Sequence, residues 1–245
     1  MNIGEKLVKI GENEQLVANA NAELEEALYS TSEGGKSWYD AFWDAYQQNG
    51  TRTAYGYAFH DWHSDCFKPK YDLKPTRADY MFYDCFELTK KTQSLKHILE
   101  DCGAMLDTSN CTNFSYMFYY AWINEVGIID ATAASSVNNI FNYANRLVTV
   151  EKLILKEDGS QTASGAFAGA TQLKNIRIEG VIGTPFDFRN CPLSKESIMS
   201  VVNALSSSVT GQIVTFNKTT KEAAFTTEEW QALIGTKSNW TISLV

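Results

Sequence analysis

The sequence predicts an α+β fold: a short solenoid of leucine-rich-repeat period, with a coiled-coil-like N-terminal helix ahead of it and an α/β C-terminal cap behind it. Three observations carry that expectation. A Phe-x-x-small unit recurs through the middle of the chain, apolar residues of the first thirty positions fall on alternating four- and three-residue steps, and helix-period and strand-period segments alternate after residue 193.

Composition narrows the field. The 245 residues, 44% of them hydrophobic, suffice for a substantial core, which argues against disorder or a purely fibrous chain. The net charge of −8, from 29 acidic and 21 basic side chains, gives no basic footprint for nucleic acid. Cys66, Cys85, Cys102, Cys111 and Cys191 form an odd set without a CxxC pair, so no disulfide framework is implied. No apolar stretch approaches the roughly 18 to 20 residues that span a bilayer, and the start lacks the basic region and apolar core of a secretory signal. With Met1 at its head, the chain is expected to be complete and made in a cytosol, leaving the cell by lysis or a specialised export route.

Residues 1–36 form the first expected segment, an oligomerising or docking helix with a hinge. Ile3, Leu7, Ile10, Val17, Leu24 and Leu28 follow the coiled-coil period, and Glu14 and Asn21 occupy the two remaining seam positions, where polar residues fix register and oligomer state. An amphipathic helix packed on its own domain is the alternative. Gly34 and Gly35 end it. Residues 37–79 are expected to be an N-terminal aromatic cap, because Trp38, Phe42, Trp43 and Tyr46 share one helical face. The open end of a solenoid needs such a cover; a ligand platform is the other reading.

Residues 80–193 hold the repeats. Phe82-Tyr83-Asp84-Cys85, Phe118-Tyr119-Tyr120-Ala121, Phe141-Asn142-Tyr143-Ala144, Phe167-Ala168-Gly169-Ala170 and Phe188-Arg189-Asn190-Cys191 are separated by steps of 36, 23, 26 and 21 residues. Three of these steps lie in the period of leucine-rich repeats, in which one strand and one return segment make a turn. An aliphatic residue follows each phenylalanine by five or six positions: Leu88, Ile123, Leu147, Leu173 and Leu193. Strand-like runs come next, with Val126 and Ile128, Leu153 and Leu155, and Ile176 and Ile178 on one row. Segments 106–118, 129–141 and 155–167 align, each opening on an aliphatic residue. The long first step is expected to contain an irregular turn over 93–103, in which Leu95, Ile98 and Leu99 read as helical.

The segment Leu106-Asp107-Thr108-Ser109-Asn110-Cys111-Thr112-Asn113-Phe114-Ser115-Tyr116-Met117-Phe118 resembles the repeat of BspA-type leucine-rich proteins, as does Ala166-Phe167-Ala168-Gly169-Ala170-Thr171-Gln172-Leu173-Lys174-Asn175-Ile176. The likeness covers about 80–191, with four or five turns, and the turn at 183–188 departs from the pattern. Tyr39-Asp40-Ala41-Phe42-Trp43-Asp44-Ala45-Tyr46-Gln47-Gln48-Asn49-Gly50-Thr51-Arg52 and Phe225-Thr226-Thr227-Glu228-Glu229-Trp230 are similar to leucine-rich proteins encoded by phages and prophages of Gram-positive gut bacteria. Those are generally regarded as minor structural or tail-associated components, and the resemblance implies a virion location here.

Residues 194–245 read as the C-terminal cap. Ser194 caps a helix through about Leu205 that buries Ile198, Val201, Val202 and Leu205. A strand over 211–216 alternates through Ile213 and Thr215, Thr226-Thr227-Glu228-Glu229 opens a helix carrying Trp230 and Leu233, and 240–244 is a final strand.

His60-Asp61-Trp62-His63-Ser64-Asp65-Cys66 is the one candidate metal cluster, but no second ligand segment matches it, so a polar loop without metal is expected and no cofactor is implied. No nucleophile elbow, phosphate loop, dinucleotide fingerprint or zinc-protease helix occurs. Solenoids of this kind are generally recognition surfaces, and the expectation is a protein that is not an enzyme. The candidate ligand-binding residues are Tyr119 and Trp122, from the aromatic cluster with Tyr120, and Lys174 and Arg177, from an outward strand row with Lys152, Ile154 and Asn175. Core filling by half of the aromatics and a merely solvated charged row are the bland alternatives.

The expected function is that of a phage virion accessory protein. Its N-terminal helix forms a homo-oligomer, a trimer being one option, or docks on tail or baseplate proteins, while the solenoid binds a bacterial surface protein or glycan, without membrane insertion. A bacterial adhesin or an intracellular interaction module with the same repeats is the alternative, and an enzyme acting on surface sugars is a third.

Overall fold

The computed structural model describes residues 69, 72–85 and 94–245. The chain divides into two units, Met1–Thr51 and Arg52–Val245, and every described residue belongs to the second. The expected oligomerising helix over 1–36, the aromatic stripe at 38–46, the histidine cluster at 60–66 and Leu88 lie outside the described residues.

Helices and strands mix along the chain, and the architecture is α+β. Helix α1 (Leu95–Asp101) precedes β1 (Glu125–Asp130), β2 (Thr149–Ile154) and β3 (Asn175–Glu179), which form one parallel sheet in that order. A second parallel sheet orders β4 (Phe186–Phe188), β5 (Gln212–Phe216) and β6 (Trp240–Leu244), with α2 (Lys195–Ala204), α3 (Lys218–Ala224) and α4 (Thr227–Gly235) between its strands. This sheet runs across the boundary that the sequence places at 193/194.

The phenylalanines explain the core. Phe82, Phe118, Phe141, Phe167 and Phe188 are all buried, and each ring stacks on the next at centroid distances of 5.2, 5.3, 5.7 and 4.7 Å. Phe216 continues the pile 6.0 Å beyond Phe188, and Trp230 meets it edge-on at 6.2 Å. Met81, Met117, Ile140 and Ala166, one residue before the phenylalanines, are buried beside them. So are Ala78, Phe114, Val137 and Ala163, four before. The small residue of each unit closes a tight turn: the N–H groups of Cys85, Ala121, Ala144, Ala170 and Cys191 bond the carbonyl of the phenylalanine three residues earlier. These small side chains are buried as well, so a larger one would have to displace core atoms.

The strands depart from simple alternation in one way. Val126 and Ile129 point inward on β1, and Val150 and Leu153 on β2, a spacing of three rather than two. The pairs stay in register, Val126 with Val150 and Ile129 with Leu153, because both strands carry the same irregularity. Ile128, expected in the inward row, is therefore 45% exposed. On β3 the spacing returns to two, with Ile176 and Ile178 buried, and the register shifts between Val150 and Leu153 to accommodate it.

Among the described residues no further strand pairs with the far edge of β3. Helix α2 lies there, and two of its serines take the place of a neighbour's carbonyls: Ser197 Oγ accepts the Ile176 N–H at 2.9 Å and Ser200 Oγ the Ile178 N–H at 2.8 Å. Ser197 Oγ in turn donates to the Lys174 carbonyl at 3.1 Å. Ser194 caps α2 as expected, and Ile198, Val201, Val202 and Leu205 are buried.

In β5 the expected alternation fails, since Val214, Thr215 and Phe216 are all buried while Ile213 is 46% exposed. Thr226 and Glu229 form a reciprocal capping box at the start of α4.

Candidate functional site

The site grows out of the turn that carries each phenylalanine. The residues two before and two after it adopt left-handed backbone: Tyr80 and Asp84 around Phe82, Tyr116 and Tyr120 around Phe118, Asn139 and Tyr143 around Phe141, Gly165 and Gly169 around Phe167. The six non-glycine φ values lie between 48° and 57°. With these kinks, alternate N–H groups face the following turn. Asn139, Phe141 and Tyr143 donate to the carbonyls of Ser164, Ala166 and Ala168 at 2.9, 2.9 and 2.6 Å, and Tyr80, Phe82 and Asp84 donate equivalently to Ser115, Met117 and Tyr119.

Left-handed backbone costs an ordinary L-residue about 1–2 kcal/mol, and glycine or asparagine would occupy these positions more cheaply. Tyrosine nevertheless fills four of them. A side chain on Gly169 would meet the Tyr143 ring, its Cβ lying 2.9 Å from Cδ1, so the bare glycine makes room for that tyrosine.

The tyrosines lock one another. Tyr80 stacks on Tyr116 at 4.9 Å, Tyr83 on Tyr119 at 5.5 Å and Tyr120 on Tyr143 at 5.0 Å, each pair within 13° of parallel. Tyr119 stands perpendicular to Tyr116, Tyr120 and Tyr143 at 5.3, 4.5 and 5.8 Å. Burial pushes the Tyr119 hydroxyl above the ordinary phenol range, and the neighbouring Tyr120 phenol adds to it. Tyr120 and Tyr143 are 41% and 47% exposed.

Of the residues singled out in the sequence, Tyr119 lies at the centre of this ledge, half-buried. Trp122 is also half-buried, with the Arg146 guanidinium 5.1 Å from its ring centre. Lys174 and Arg177 are exposed, as expected of an outward row, but they belong to a different element, β3 and the residue before it. Arg177 and Lys152 both pair with Glu179, at 2.8 and 2.9 Å, and the Lys152 hydrogen bond holds that carboxyl below its usual range. The four residues therefore form two separate groups, an aromatic turn and a charged strand row. Tyr80, Tyr83, Tyr116 and Tyr143 were missed; aligning the units on their phenylalanines and reading up to two positions to either side would have found them.

Among the described residues no group of three or more His, Cys, Asp or Glu side chains is placed to hold a metal ion. Nor is any helix there long and apolar enough to cross a membrane. Burial pushes the thiols of Cys111 and Cys191 up to about 11 and about 12. In comparisons with family models, curated proteins and solved structures, the chain matches none.

Proposed function

We propose that the chain is a non-enzymatic binding protein, a leucine-rich-repeat-like solenoid that offers its tyrosine ledge to a partner. The observation that carries this reading is the tyrosine at four left-handed positions, Tyr80, Tyr116, Tyr120 and Tyr143, where glycine or asparagine would be cheaper. Strain kept where a less costly residue is at hand points to a use for the side chain. Tyrosine is also among the side chains that dominate contact energy, since it offers large rigid area with few rotatable bonds. The regular pile of phenylalanines and the turn-to-turn hydrogen bonds support the solenoid reading.

The setting rests on the resemblance. The chain would be a phage virion accessory protein, associated with tail or baseplate, oligomerised through its N-terminal helix and binding a surface component of a Gram-positive host. The test compares retention of the labelled chain on such cells for three forms: wild type, Tyr120→Asn with Tyr143→Asn, and Lys174→Ala with Arg177→Ala. Asparagine tolerates the left-handed backbone, so the first pair removes rings without adding strain. Loss of retention in the tyrosine pair alone is expected. Equal retention of all three moves binding off both surfaces, and release of sugar or peptide fragments by the wild type would make it an enzyme. Detection of the chain in purified particles tests the virion setting.

A further inference from the structure

We infer that the tyrosine ledge takes a neutral, extended glycan laid along the direction in which the turns succeed one another. This rests on the reading above that the ledge is a binding surface, and it names the ligand class.

Area speaks first. Tyr120 and Tyr143 are less than half exposed, and Tyr116 and Tyr119 are half-buried. A tyrosine side chain carries about 150–250 Å², so with the half-buried Tyr80 and Tyr83 the accessible part of the six is on the order of 500 Å² or less. A stable protein interface needs about 800 Å² from each partner. The ledge alone falls short of that area, and it suits a strand of a few sugar units.

Its chemistry agrees. Tyr120 and Tyr143 stack on one another through one face each, so aromatic ring and phenol hydroxyl make up what they expose. The aromatic edge is the positive end of the ring quadrupole, and the hydroxyl both donates and accepts. Both features match the hydroxyl and ether oxygens of a sugar. Among the described residues no cation lies over the rings of Tyr116, Tyr119, Tyr120 or Tyr143, and the exposed Asp84 sits one turn before Tyr120 at the equivalent left-handed position, which disfavours an anionic polymer.

Equivalent tyrosines on successive turns lie 4.9, 5.5 and 5.0 Å apart, comparable with the length of one pyranose unit. Each of these columns holds two tyrosines, with Asn139, Asn142 and Asp84 at the adjoining equivalent positions, so a chain lying along the ledge meets like phenols at two successive sugars. The stacked and perpendicular contacts hold the rings before the ligand arrives, which removes the ordering cost that flexible side chains impose on binding.

The experiment is calorimetric titration of the full chain with cellohexaose, chitohexaose, xylohexaose and maltohexaose, with the hexamer of galacturonic acid as the anionic control. At least one neutral oligomer should bind with Kd below about 1 mM, and the acidic one at least about tenfold more weakly. Tyr120→Asn with Tyr143→Asn should weaken the neutral ligand by about tenfold or more. Tyr120→Phe with Tyr143→Phe, which keeps the rings and their packing, should lose part of the affinity through the missing hydroxyls. If no neutral oligomer binds, if the acidic one binds as well, or if both tyrosine pairs behave as wild type, the glycan assignment is overturned. Retention on cells that survives periodate destruction of their sugars also overturns it while leaving the binding function standing; absence of retention on any cells removes the binding function itself.

Discussion

Replacing Phe141 with alanine removes the middle ring of the pile, and the structure sets the size of the penalty. Phe141 is fully buried, with Phe118 on one side at 5.3 Å and Phe167 on the other at 5.7 Å. Returning such a side chain to water costs about 1.5–3 kcal/mol, and two stacked contacts add about 0.5–1.5 kcal/mol each. The gap cannot close easily. The neighbouring turns are held by the Phe118 N–H on the Ile140 carbonyl and the Phe141 N–H on the Ala166 carbonyl, both at 2.9 Å, so the flanking rings cannot move together without breaking backbone hydrogen bonds. The loss should therefore reach the upper part of the usual range of about 3–5 kcal/mol. Phe141→Leu keeps most of the volume and should cost about 1.5 kcal/mol. Urea denaturation followed by tryptophan fluorescence measures both. A loss below about 1 kcal/mol for Phe141→Ala would refute the claim that the pile is a rigid, hydrogen-bonded stack.

Gly180→Ala should destabilise by about 2 kcal/mol or more, because φ is 83° and the added Cβ would run into the Leu155 carbonyl; thermal unfolding checks it. Ser197→Ala leaves the buried Ile176 N–H without its acceptor and should cost about 1–3 kcal/mol, with faster hydrogen exchange at Ile176 as the specific sign. The Ser109 hydroxyl, and then its backbone N–H, hold the Asp107 carboxyl below its ordinary range. A carboxyl lowered on folding contributes stability that is present above its unfolded value near pH 4 and is lost as pH falls through the folded value. The advantage of wild type over Asp107→Asn should thus shrink in acid below about pH 4 and be constant above about pH 6. Cys191, buried and raised to about 12, should resist alkylation in the folded protein and react only on unfolding, as mass spectrometry of partly denatured samples would show.

The parts of the fold that were legible in the sequence are those in which a side chain's chemistry dictates its place. The phenylalanine and small residue of each unit announce themselves because one must be buried and the other must fit a tight buried turn. Ser194 and the Thr226–Glu229 pair are readable because capping is a local event. Ile128 was misplaced because β1 and β2 share an irregularity that their sequences do not mark. Helix α3 was missed for a different reason: Lys218–Ala224 buries none of its residues, so it has no apolar period, and only the Asn217 cap signals it. The ledge was half-legible. Tyr119 and Tyr120 drew notice as neighbours in sequence, whereas Tyr116 and Tyr143 join them only through backbone of opposite hand, which no preference of tyrosine foretells. Lys174 and Arg177 were rightly placed outside the core, but the ion pairs around Glu179 tie Arg177 to the sheet rather than to the ledge.

The serines of α2 have a consequence for how such a chain changes length. By meeting the Ile176 and Ile178 amides with hydroxyls, the helix ends the first sheet with a terminator that is indifferent to how many strands came before it. Upstream, each turn bonds chiefly to the one before and the one after, as Phe141 does to Ala166 and Phe118 to Ile140. A duplication of one whole unit, such as the 26 residues from Phe141 to the residue before Phe167, would be bonded on both sides by copies of existing partners and would leave the terminator untouched. A chain of this kind could thus gain or lose a unit between existing neighbours, while the unequal steps of 36, 23, 26 and 21 residues show that length also varies within a unit.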